Sequence, residues 1–241
     1  MEISGKRVLI TGAAVRIGRA IAKSFAAAGA NLLIHCNRSR SAAEELLAEL
    51  GGEKAGHSVL CADLRELSSL PGLMARAGTV DILVNNASVF GRRPLAAESL
   101  AEAQEEFAVN FWAPLELMKL FYAQGNLREG CIINILDQRI SSSDPLFGAY
   151  ALSKKSLAEA TLAAALQWAS RIRVNGIALG PVMPPVGMED SAMEKTLKTV
   201  PMKMAVPLGE LCEACLFLSR SESITGELLF LDGGQHLFRQ N

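Results

Sequence analysis

The sequence predicts an α/β fold: one open, doubly wound parallel sheet of about seven strands with helices on both faces. Three observations predict it. Short apolar runs of strand length alternate with longer stretches of helical periodicity. Most of those runs are apolar throughout rather than at every second residue, as strands covered on both faces require. Breakers fall where helices must end, at Gly29 and at Gly51-Gly52.

Strands are expected at 8–10, 31–35, 58–61, 82–84, 131–136, 173–177 and 228–231. Helices are expected at 18–28, 41–50, 64–77, 149–168 and 209–219, with one or two more inside 100–122. Such alternation implies right-handed crossovers. Residues 1–241 show no linker, repeat or low-complexity tract, so a single domain is expected. The irregular stretch is 181–207, which holds Pro181, Pro184, Pro185, Pro201 and Pro207 among five methionines. Lying after a strand's carboxyl end, it is expected to be a substrate-side loop or lid.

Composition excludes several classes. Half of the 241 residues are hydrophobic and the net charge is −1, so no global field favours nucleic acid or an anionic membrane. The opening MEISGKRVLITG lacks the apolar core of a signal peptide, and no apolar run reaches the ~18 residues of a membrane span. A cytoplasmic location is the expectation. Five cysteines make no disulfide framework. Cys212 and Cys215 form a CxxC without a second pair, on a stretch of helical periodicity, and read as helix packing; no metal site is expected.

Directly after the first strand come Gly12 and Gly18, followed by a helix. Glycines there permit a tight turn and close approach of a pyrophosphate, which the free N–H groups of the helix start would meet. This is the dinucleotide turn of a Rossmann-type fold, with Arg16 in place of the usual middle glycine and Ile17 beside it. An NAD site wants an acid after the second strand to take the ribose 2′-OH. Here His35, Arg38 and Ser39 stand there and no acid occurs until Glu44. Arginine grips phosphate well, so NADPH is the expected cofactor, with His35 as an additional donor. Asp63, next to Leu64, follows the third strand and is expected to accept from the adenine amino group. Asn86, Ala87 and Ser88 follow the fourth, where support of the turn and cofactor contact are both open readings.

Tyr150 and Lys154 lie four residues apart and so share a helix face. A nearby ammonium lowers a tyrosine pKa, which would suit Tyr150 to proton transfer at a carbon receiving hydride.

In order, the chain carries TGxxxxxG, Asn-Asn-Ala after the fourth strand, Asn110, Tyr-x-x-x-Lys, and Asn175-Gly176 leading to Gly180-Pro181. It resembles the short-chain dehydrogenase/reductase family over nearly its whole length. The resemblance implies a homotetramer, Lys154 on the nicotinamide ribose, Pro181 at the cofactor and Asn110 at a proton-relay water. One departure stands out: the family generally has serine thirteen positions before the tyrosine, and here that position is Asp137. An ionised Asp137 would oppose both tyrosinate and a developing oxyanion. A protonated carboxyl, or one bonded to a ring nitrogen, suits a heterocycle better than a ketone. The pteridine reductases carry Asp there, and they resemble this chain at Arg16, at His35 to Ser39, and at Asn86 to Ser88. A phenylalanine matching Phe90 stacks on their pterin. The implied activity is NADPH-dependent reduction of a dihydropterin-like substrate, with Tyr150 or Asp137 supplying the proton and Arg16 and Ser88 orienting the substrate. The alternatives are a carbonyl reductase of the same family, such as a 3-oxoacyl thioester reductase, and a non-catalytic NADP(H)-binding module.

Overall fold

The computed structural model describes residues 1–184 and 190–238. Seven strands form one sheet: β1 (Arg7–Ile10), β2 (Asn31–Cys36), β3 (Ser58–Cys61), β4 (Ile82–Asn85), β5 (Gly130–Asp137), β6 (Ile172–Leu179) and β7 (Leu228–Leu231). Their order is β3-β2-β1-β4-β5-β6-β7, and every pairing is parallel. The helices are α1 (Arg16–Ala27), α2 (Arg40–Glu49), α3 (Leu70–Ala77), α4 (Leu100–Phe107), α5 (Ala113–Tyr122), α6 (Gly148–Trp168), α7 (Asp190–Leu197) and α8 (Leu208–Arg220). Among the described residues, no helix is long and apolar enough to cross a membrane.

The continuous apolar runs are explained by two cores. Val8 and Ile10 of β1 face one side, where Ile21 and Phe25 of α1 and Cys215 and Leu218 of α8 cover them. Leu9 faces the other, with Leu73 of α3, Leu117 and Phe121 of α5 and Leu157 of α6. Successive side chains point to opposite faces, so both must be apolar. The CxxC cysteines lie in the first of these cores.

Strand order reverses between β1 and β4, which opens a crevice beyond their carboxyl ends. β5 runs past the end of β4, from Asn134 to Asp137, alongside β6, and flanks that crevice. A buried polar ladder ties the middle of the sheet to α6. Asn85 Nδ2 donates to Asn134 Oδ1 at 2.8 Å, Asn134 Nδ2 to Thr161 Oγ1 at 2.8 Å, and Thr161 Oγ1 to the Leu157 carbonyl at 2.7 Å.

Helix limits differ from expectation where proline intervenes. The expected 64–77 helix begins as a 3₁₀ turn at Leu67–Ser69 and becomes α-helical at Leu70, because Pro71 needs a position with no N–H to donate. The stretch 100–122 is α4, a π-helical turn at Ala108–Trp112, and α5. Pro114 has no N–H for the Asn110 carbonyl, so the α pattern cannot run through and the turn widens. Within 181–207, α7 is an addition that the prolines concealed. Residues 185–189, including Pro185 and Met188, lie outside the described residues.

Replacing Asn134 by Ala strands the buried Asn85 and Thr161 groups. A loss of about 2–4 kcal/mol in unfolding free energy is expected by denaturant titration.

Candidate active site

The turn after β1 is built by hydrogen bonds from three strands. Thr11 Oγ1 accepts from the N–H groups of Asn86 and Ala87, both at 2.9 Å, and Asn86 Nδ2 donates to the Thr11 carbonyl at 2.8 Å. Asn86 is thus committed to holding the turn. Gly12 has φ 64°, and a Cβ on Gly18 would lie 2.1 Å from the Gly12 carbonyl oxygen. Only glycine fits that crossing. The first turn of α1 has no side-chain cap and no acidic residue, so its N–H groups remain open to an anion. Uncapped donors above a glycine cradle fit a pyrophosphate.

His35 plays a different part from the one expected. It is fully buried, Nδ1 accepts from Gly12 N–H at 3.2 Å, and Nε2 faces the Ala62 carbonyl at 3.2 Å. Burial holds its pKa down at about 4, so it is neutral and both nitrogens are taken. It fixes the turn and cannot donate to a phosphate. Arg38 and Ser39 are exposed on the rim of a 460 Å³ cleft that also borders Gly12, Ile17 and Leu64. Asp63 lines the same cleft, but Arg65 Nε bonds both its oxygens at 3.0 Å, and that contact holds its pKa down at about 2. Any adenine contact must share Asp63 with Arg65.

A second cavity of 590 Å³ continues from the first, sharing Arg16, Ile17, Asn86 and Ser88. It contains Tyr150, Asp137, Lys154, Phe90 and Pro181. β5 delivers Asp137 at its last residue and α6 brings Tyr150 opposite, so that Tyr150 donates to Asp137 Oδ2 at 2.9 Å. Lys154, one turn on, donates to the Ile135 carbonyl at 2.9 Å. Phe90, about half exposed, sets its ring edge-on to Tyr150 with centroids 4.8 Å apart. Ser88 donates to Asn110 Oδ1 at 3.0 Å. Asn110 also accepts from Val89 N–H and donates to the Val89 carbonyl and Ser153 Oγ. Its amide is therefore saturated, leaving no side-chain valence for a relay water. Arg16, with φ 52°, reaches across to the Pro184 carbonyl at 2.6 Å and ties the turn to the segment after β6. Met193 and Thr196 of α7 close the far side of this cavity.

Residues 6–195 match the family model described as short chain dehydrogenase. The chain belongs to the short-chain dehydrogenase family. Oxidoreductase UcpA of Salmonella typhimurium is 32% identical, over 98% of this chain and 96% of that one. L-xylulose reductase of Bos taurus is 29% identical, over 97% and 98%. Among solved structures, FolM alternative dihydrofolate reductase 1 from Brucella canis, complexed with NADP, superposes with a TM-score of 0.92 at 34% identity. It covers 100% of this chain and 97% of that one. The Brucella suis counterpart, also with NADP, gives 0.91 at 35%, covering 100% and 98%. This chain is accordingly an oxidoreductase of the short-chain dehydrogenase family with a nicotinamide-dinucleotide cleft.

In this short-chain dehydrogenase the phenol is not lowered as the Tyr-x-x-x-Lys spacing suggests. Burial and the neighbouring Asp137 carboxyl hold the Tyr150 pKa well above the usual tyrosine range. The charge that opposes this shift is Arg139, absent from the sequence expectations. Its Nη1 lies 3.1 and 3.2 Å from the two Asp137 oxygens. Its guanidinium stacks on Phe147, 3.7 Å from the ring centroid. The signal was available in the Asp-x-Arg spacing, but a side chain's direction after a strand end is not written in the pattern. Lys154 is itself depressed to about 8 by burial.

That depression has a sign. A lysine that deprotonates at about 8 when folded and at 10.5 when free destabilises the fold below pH 8, and the cost is relieved as pH rises toward 10.5. The cost is on the order of 3 kcal/mol. Lys154→Met is expected to be at least as stable as the parent at pH 7 and to lose the rise in unfolding free energy between pH 8 and 10, read by denaturant titration at each pH.

Proposed function

We propose that this chain is an NADPH-dependent reductase delivering hydride to a pteridine of the dihydropterin type. The observation that carries the reading is the bond from Tyr150 to Asp137 inside a cavity walled by Phe90. A carboxylate at that point disfavours a developing alkoxide, whereas a nitrogen heterocycle offers N–H donors to it. The half-exposed Phe90 ring supplies an apolar face on which a flat bicycle stacks.

NADPH, when bound, supplies the hydride. Arg38 and Ser39 would hold its 2′-phosphate, since no carboxylate competes between Cys36 and Ala43. The turn at Gly12 and the start of α1 would meet the pyrophosphate, and Lys154 the nicotinamide ribose. Asp63, Leu64, Ala87 and Pro181 line the remaining contacts. Tyr150, whose proton is retained by burial, is the acid toward ring nitrogen. Asp137 already accepts from Arg139 and Tyr150, so it orients rather than gives a proton. Arg16 and Ser88 would orient substrate against cofactor, and 181–207 would form the lid of a single 1–241 domain. Asn110 supports the Ser88–Phe90 loop. Exposed Trp112, Leu152 and Leu166 on the sheet's helical flank support association of subunits, for which a cytoplasmic homotetramer is proposed.

A second reading, a carbonyl reductase of sugars or 3-oxoacyl thioesters, draws support from the similarity to L-xylulose reductase. NADPH oxidation assayed with dihydrobiopterin, dihydromonapterin and acetoacetyl thioester separates the two. Turnover of the thioester alone would overturn the pteridine reading, and turnover of none would favour a cofactor-binding module. Tyr150→Phe is expected to cut turnover about 10³-fold with NADPH binding retained. Arg38→Ala is expected to weaken NADPH about tenfold to hundredfold and NADH hardly at all, by fluorescence titration.

A further inference from the structure

Arg139 joins hydrogen bonds, ion pairs and an aromatic face at the reacting end. It follows β5 on the short 3₁₀ turn Gln138–Ser141. Its backbone N–H donates to Asp137 Oδ1 at 2.9 Å, and its guanidinium reaches both Asp137 oxygens. Nε is held by Asp144 at 2.9 Å, and the plane lies on Phe147. Phe147 in turn packs on Phe90, with centroids 5.4 Å apart. The guanidinium is thus held by three partners, one of which, Asp137, accepts from the Tyr150 phenol.

Proton transfer from Tyr150 leaves a phenolate 2.9 Å from a carboxylate, both side chains being largely buried. That state needs a nearby cation that keeps its charge at neutral pH. Among the described residues, no cation other than Arg139 is bonded to Asp137. Lys154 of α6 still carries its charge at neutral pH, with a pKa of about 8, but directs it at the Ile135 carbonyl and not at Asp137. Glu106 of α4 is acidic and pushed up to about 7 by its own burial. Arg92 lies beyond Phe147, 5.9 Å from its ring centroid. Asp144 faces Arg139 from its other edge.

We propose that Arg139 is a positioning residue for proton transfer: clamped on Asp137, it supplies the permanent positive charge that lets Tyr150 release its proton beside a carboxylate. The proposal rests on the reading of Tyr150 as the acid. The Tyr150 O–H bond breaks, the proton goes to the substrate atom next to the carbon that gains hydride, and the electron pair stays on the phenolate. Water returns a proton after product leaves.

The chain has two tyrosines, so Tyr122→Phe leaves Tyr150 as the sole phenol, and its ionisation can be read by ultraviolet difference absorbance without substrate. Tyr122 stacks on Trp168 on the outer surface and takes no part in the site. In that background Asp137→Asn is expected to lower the titration midpoint, and adding Arg139→Gln to raise it again by about one pH unit. Arg139→Lys in place of Gln should hold the lower midpoint to within about 0.3 unit. Equal midpoints with and without Arg139→Gln would overturn the proposal. In the otherwise native enzyme, Arg139→Gln should reduce kcat at least about tenfold with KM for NADPH unchanged, and Arg139→Lys should recover most of it. A lysine variant no better than the glutamine one means packing only and also overturns it, as does a glutamine variant with parental kcat. If no pteridine is turned over, the function fails while the titration still decides the role of Arg139.

Discussion

The contact between the Tyr150 hydroxyl and Asp137 orders the whole reacting end. Both groups are nearly shut off from solvent, where a hydrogen bond to a carboxylate is strong and its loss is costly. Asp137 cannot sit there alone. Arg139 neutralises it, Phe147 carries the face of Arg139, and Phe90 leans on both Phe147 and Tyr150. An aromatic and ionic stack therefore runs from the strand end to the mouth of the cavity. Moving any member shifts the orientation of the phenol.

What brings these groups together is the parallel sheet. Both its faces are sealed by apolar side chains, so polar chemistry can only emerge at strand ends or through fully bonded ladders. Asn85, Asn134 and Thr161 are such a ladder, and they lock α6 onto β5 just below the site. The π-helical turn serves a parallel purpose. By widening the helix at Asn110, it turns the amide toward the Val89 backbone, and the loop bearing Ser88 and Phe90 is pinned at both its donor and acceptor. Rigid elements thus carry both walls of the cavity.

The strands were legible because burial on both faces leaves an unbroken apolar run that nothing else in a chain of this length imitates. The phosphate turn was equally legible, since the close crossing at Gly18 admits no Cβ. Groups acting through their surroundings were not. His35 stands three residues before Arg38, which suggests a shared ligand, yet alternation along β2 turns its ring into the sheet junction. The spacing of Tyr150 and Lys154 shows a common helix face, but not that the ammonium spends its hydrogen bond on a backbone carbonyl. Arg139 escaped notice because its guanidinium folds back on the residue two before it, a path no periodicity encodes. Pro114 hid a π turn, and the prolines of 181–207 hid α7, because a breaker marks where regularity fails and not what replaces it.

The aspartate also bears on how one scaffold divides its substrates, on the reading proposed above. Reduction of a ketone builds negative charge on oxygen at the point where the phenol donates. With Asp137 2.9 Å from that phenol, the charge grows against a carboxylate, and Arg139 is already engaged in balancing it. Reduction of a carbon–nitrogen double bond begins at a basic ring nitrogen, which can take the proton ahead of the hydride so that no anion develops, and neighbouring N–H groups of the heterocycle point donors at the carboxylate. The same carboxylate that obstructs the first reaction thus orients the second. Exchanging a neutral hydroxyl for an ion-paired carboxylate at the end of β5 changes which substrates gain from the site while leaving the glycine turn and the rim at Arg38, which do not border Asp137, as they are.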